Sequence, residues 1–128
     1  MVLTIIKWKK IMNNKLLLAM SLSVASFSAS SSPLFDVPLG KKCYAVYQKL
    51  VKIQETQTVT QCINKLSYAA SYTESASLRI AEDDNYYSKN QLESAINALR
   101  HAQVYGCTEE DKIVEAEKEL ADIKAQLK

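Results

Sequence analysis

Helix-breaking residues are almost absent from this chain. Glycine stands only at Gly40 and Gly106 and proline only at Pro33 and Pro38, so residues 41 to 105 contain neither. Alanine, leucine, lysine, glutamate and glutamine fill that stretch, which favours helix throughout. Two isolated glycines also exclude a glycine-rich phosphate-binding loop.

Histidine is equally scarce. His101 is the single imidazole, and a zinc site needs three or four ligands at compact spacings. The nearest soft ligand, Cys107, lies six residues further on and off the same helix face. No metal or cofactor is therefore expected, and His101 reads as a surface or half-buried residue. No serine, threonine or cysteine has a local base beside it. Asp83, Asp84, Glu109, Glu110 and Asp111 read as turn and cap residues before they read as acid–base pairs. The chain is expected not to be an enzyme.

A long uninterrupted apolar run is also missing. Residues 16 to 27 are diluted by Ser21, Ser23 and Ser26, and a transmembrane helix needs about 20 mostly apolar residues. The run matches instead the apolar part of a secretory leader, with Lys15 before it and the small residues of "SFSASSS" after it. Cleavage after Ser26, Ser28 or Ser30 satisfies the small-residue rule. Residues 1–30 are thus expected to be a signal peptide, with Met12 a second candidate start, because "MVLTIIKWKKI" makes an unusually long basic region. No cysteine follows the run directly, which argues against a lipid anchor. The expected location is periplasmic or secreted, with no stable membrane span after cleavage.

Export changes the charge. Lys7, Lys9, Lys10 and Lys15 leave with the leader, so twelve basic residues face fourteen acidic ones, a balance of −2. No basic face remains for nucleic acid. About 100 residues are left, the commonest size for one domain.

Residues 31–40 read as an extended lead-in and residues 41–128 as an all-α domain, a small antiparallel up-and-down bundle of three to four helices. In the first helix, residues 41 to 55, Cys43, Val46, Tyr47, Leu50 and Ile53 recur at helical steps. The β-branched "TQTVTQ" interrupts the pattern and implies a turn, the alternative being one helix to residue 82. A second helix, residues 59 to 82, carries Val59, Cys62, Ile63, Leu66, Ala69, Ala70, Ala76 and Ile80. After "EDDN" a third begins near Ser88, where "SKNQ" resembles a capping box, and ends at Gly106. The fourth opens on "TEED", with Thr108 as its cap, and places Ile113, Ala116, Leu120, Ile123 and Leu127 in one seam.

Three cysteines in an oxidising compartment leave one thiol over. A hairpin turning at residues 84 and 85 brings Cys62 and Cys107 level, each roughly 30 Å of helix from the turn. Cys43 is too far from either, so the expected disulfide is Cys62–Cys107. Cys43 then remains an unpaired thiol, either buried and inert or available for a Cys43-linked dimer. No CxxC spacing supports redox chemistry.

Seven tyrosines stand out. Tyr68 and Tyr72 are one turn apart, opposite the Leu66 stripe. Either helix one or four covers them, with Tyr44 and Tyr47 packing nearby, or Tyr44, Tyr47, Tyr68 and Tyr72 form an exposed face that captures a peptide, a glycan or a partner helix. The functional expectation is an exported interaction or structural module of the cell envelope, with a protein partner there. The alternatives are a periplasmic acid-stress chaperone and an inhibitor of an extracellular hydrolase.

Overall fold

The computed structural model describes residues 37–128. The expected leader and its cleavage site, and lead-in residues 31–36, lie outside them. Among the described residues there are four helices and no strand: α1 (Pro38–Glu55), α2 (Thr60–Ala81), α3 (Asn85–Val104) and α4 (Glu110–Gln126).

The lead-in is shorter than the sequence implied, because α1 starts at Pro38 and not after Gly40. Proline suits this position, since the first helical N–H has no partner to lose. Gly40 is a buried residue of the first turn, and a Cβ there would stand 3.4 Å from the Ser77 carbonyl oxygen. Absence of a side chain lets α1 approach α2 closely at this end.

The break between α1 and α2 is real. Thr56 Oγ1 donates to the Ile53 carbonyl at 2.7 Å and Val59 is extended (φ −87°, ψ 130°), so the chain leaves the helix over four residues. Val59, expected on the apolar stripe, precedes α2 and is exposed.

Both ends of the α2–α3 hairpin use left-handed residues. Asp83 (φ 62°) ends α2, with its N–H on the Ile80 carbonyl and that of Asp84 on the Arg79 carbonyl. Gly106 (φ 69°) ends α3 in the same way, its N–H meeting the Gln103 carbonyl and that of Cys107 meeting Ala102. These paired bonds satisfy carbonyls that a helix end leaves open. The third helix starts three residues before Ser88: Asp84 caps it by accepting the Tyr87 N–H at 3.2 Å, while buried Ser88 donates back to the Asp84 carbonyl.

Packing runs α1 on α2, α2 on α3, α3 on α4 and α4 back on α1, with no direct α1–α3 or α2–α4 seam. Neighbours run in opposite directions, as Arg100–Glu117 and Glu93–Lys124 show for α3 and α4. Each helix therefore gives one stripe to a shared core: Val46, Leu50 and Ile53 from α1, Leu66 and Ile80 from α2, Leu92, Ile96 and Leu99 from α3, and all five apolar residues of the α4 seam. Much of the buried face of α2 and α3 is alanine: Ala69, Ala70 and Ala76 on α2, Ala95, Ala98 and Ala102 on α3. Thr73, Ser77 and Ser88 are buried, but each hydroxyl donates to a carbonyl of its own helix or cap, so burial leaves none unsatisfied.

Candidate functional site

Cys62 and Cys107 form a disulfide with a Cα–Cα distance of 5.6 Å. It ties the start of α2 to the end of α3, at the bundle end away from the Asp83–Asp84 turn. Cys107 is the residue directly after the left-handed Gly106, so the cap that stops α3 also aims the sulfur at α2.

Cys43 is fully buried and its thiol donates to the Thr73 carbonyl at 3.4 Å. Burial pushes its pKa up to about 12. A Cys43-linked dimer has no exposed sulfur to use in this fold, because α1 turns Cys43 toward α2 at the point of their close approach.

The four tyrosines do not share a face. Tyr44 and Tyr47 on α1 have ring centroids 5.3 Å apart, and Tyr47 lies beside Glu74 of α2, whose negative charge holds the phenol above its ordinary pKa. Glu74 follows Tyr72 by two residues, about 200° around the helix at 3.6 residues per turn. The Tyr44–Tyr47 pair therefore flanks the α1 side of α2, and Tyr68 and Tyr72 flank its α3 side. Neither α1 nor α4 covers the second pair, and Tyr68 and Tyr72 remain 55% and 38% exposed.

Tyr68 and Tyr72 instead line an open groove of about 290 Å³ between α2 and α3, with Lys65 on their own helix and Ser94, Asn97 and His101 on the opposite one. The steps are 3 and 4 on α2 and 3 and 4 on α3, so each row faces outward along one line of its helix. Ala98 is the small residue of the floor. Lys65 Nζ stands 5.9 Å from the Tyr68 ring centroid, in cation–π range. Among the described residues, none of the polar side chains of this groove hydrogen-bonds to another protein group, and no carboxylate lines it. His101 is exposed, as the sequence implied. Ser94, Asn97 and Lys65 were not singled out in the sequence; their signal is the outward 3–4 spacing opposite the two tyrosines, readable only once α3 is known to be the neighbour.

A second groove of about 360 Å³ follows the shorter α1–α4 seam, over Ile53 and Ala116. Two ion pairs close within it, Lys49 with Glu119 at 2.8 Å across the groove and Lys112 with Glu109 at 2.9 Å, while Lys52 and Glu115 also line it. Its lining carries charge of both signs, whereas Lys65 is the one formal charge of the α2–α3 groove. The described residues contain no group of three or more histidine, cysteine, aspartate and glutamate side chains placed to hold a metal, and no helix long and apolar enough to cross a membrane.

The tyrosine pair thus supplies two exposed aromatic faces beside an uncommitted row of donors and acceptors, an arrangement that can hold a ligand. Searches against protein-family models, curated protein sequences and solved structures found no match to the chain.

Proposed function

We propose that this is an exported, non-catalytic binding protein of the cell envelope or exterior, which captures its ligand on the α2–α3 groove. The observation that carries the reading is the exposure of Tyr68 and Tyr72 beside Lys65, Ser94, Asn97 and His101. Large aromatic side chains concentrate at interfaces because they offer contact area at small entropic cost. Replacing both tyrosines with serine is the test. Melting temperature should shift by no more than a few degrees, since little buried area is lost, while capture of a specific partner from periplasmic extract should vanish. Unfolding of the double variant, or unchanged capture, refutes the reading. Export has its own check: intact-mass analysis should find a new N-terminus between residues 27 and 32, and an uncleaved cytosolic chain refutes it.

A second reading, an acid-stress chaperone, draws on the attachments of α4. Lys49–Glu119 ties it to α1, and Arg100–Glu117 and Lys124–Glu93 tie it to α3, whereas the disulfide does not reach it. The hydrogen bond from Lys124 holds the Glu93 pKa below its ordinary value. A carboxylate with a lowered folded pKa gives its stabilisation above the unfolded value and loses it as pH falls through the folded one. These pairs are solvent-exposed, so each contributes about 0.2–1 kcal/mol. Acid should therefore loosen α4 first and uncover its apolar seam. Binding of an apolar dye and protection of a client protein near pH 2–3 test this reading, and absence of protection removes it.

A further inference from the structure

We infer that the ligand class of the α2–α3 groove is an anionic oligosaccharide, an inference that rests on the binding reading above. Two features select against other occupants of such a surface. A partner helix needs apolar anchors at helical spacing, and the α3 wall offers Ser94, Asn97 and His101 around the small Ala98. A peptide that binds as an added strand gains its affinity from main-chain bonds to a free sheet edge, and the described residues include no strand. A saccharide ring combines what remains: an apolar C–H face that lies on an aromatic ring, and an edge of hydroxyl and amide groups that can both donate and accept.

The groove presents the complement in two parallel rows. Tyr68 and Tyr72 are separated by about 6 Å along the α2 axis, close to the length of one pyranose unit in an extended chain. Across from them, a hydroxyl, an amide and an imidazole span about 10 Å of α3, each able to serve as donor and acceptor. Lys65 is the one formal charge in the lining, with no carboxylate there to neutralise it. The groove therefore favours a negative group on the sugar over a positive one, although the domain as a whole carries more acidic than basic residues.

Titration of the processed chain with a hexasaccharide alternating N-acetylglucosamine and glucuronate, and with the uncharged N-acetylglucosamine hexamer, decides the point. The acidic chain should bind about fivefold tighter at low salt, the equivalent of one exposed ion pair. That advantage should disappear in Lys65→Met or at high salt. Tyr68→Ala and Tyr72→Ala should each weaken both sugars by up to about tenfold, with unchanged melting temperatures. An acidic helical peptide of equal charge serves as the competing class. Absence of saturable binding by either sugar, sugar binding unaffected by the tyrosine changes, or a preference for the peptide overturns the inference. If the Tyr68→Ser, Tyr72→Ser variant loses a specific envelope partner while neither sugar binds, the groove remains a binding face and only the saccharide assignment fails; if no partner is lost either, both fail.

Discussion

The side-chain amide of Gln57 meets both main-chain polar groups of Thr108, donating from Nε2 to its carbonyl at 2.9 Å and accepting its N–H on Oε1 at 3.1 Å. Gln57 is buried, and Nε2 also donates to the Ile53 carbonyl at 3.2 Å. One residue of the α1–α2 link thereby holds the α3–α4 link across the same bundle end. This contact also explains why Thr108 does not cap α4. Its backbone is drawn toward Gln57, and the chain enters the helix through Glu109 in a left-handed conformation (φ 63°), whose carbonyl accepts from Lys112 and Ile113.

Gln57→Ala should cost about 1–2 kcal/mol, because it strips partners from main-chain groups while Thr108 keeps some access to water. Gln57→Glu should also destabilise at neutral pH, since a carboxylate there faces the Thr108 and Ile53 carbonyls. That glutamate should have a raised folded pKa, so its penalty relative to the parent should shrink as pH falls from 7 toward about 4.3, the value of the unfolded chain. Urea midpoints of the three proteins at pH 7 and pH 4.5 check both statements.

The disulfide closes a loop across a sequence separation of 45 residues, for which chain entropy assigns about 4 kcal/mol. Reduction, or a double change of Cys62 and Cys107 to alanine, should remove a large part of the stability of so small a domain. Chemical denaturation with and without reductant measures the difference. Non-reducing peptide mapping should recover a Cys62–Cys107 fragment and leave Cys43 unlinked.

Cys43 should resist a maleimide reagent at pH 8 in the folded protein and react once urea is added. With its folded pKa at about 12, the unfolded chain loses the thiol proton first. Stability should therefore fall as pH rises above about 8.5, with a limiting slope of ~1.4 kcal/mol per pH unit from this group. Raised Tyr47 acts in the same direction. Cys43→Ala should remove the thiol's share of the slope and, by emptying a packed site, cost about 1–2 kcal/mol at pH 7. Rapid labelling of the native protein would contradict the burial.

Gly106 and Asp83 hold the same left-handed conformation with opposite side-chain suitability. A Cβ at Gly106 would meet nothing within 4 Å, so Gly106→Ala should cost about 1–2 kcal/mol of backbone strain alone. Asp83→Gly should relieve a comparable strain and stabilise by up to about 1 kcal/mol, less the entropy that glycine adds to the unfolded chain. Thermal unfolding of both variants gives the sign.

The sequence by itself determined the helical character of the domain, the apolar stripe of each helix and the disulfide partners. Helix periodicity is local, and the scarcity of glycine and proline leaves few places for the chain to turn. Cys62 and Cys107 could be matched because a hairpin of two straight helices fixes register by counting from its turn. Tertiary structure alone decided three further matters. Tyr68 and Tyr72 stay open because both neighbours of α2 sit on the inner arc of a ring of four helices, which residue spacing along α2 does not reveal. Cys43 is sealed because Gly40 and the small residues of α2 allow two helices to close on it. Thr108 gives up its capping role to Gln57, 51 residues away. Each outcome depends on which surfaces meet, and that choice belongs to the core as a whole.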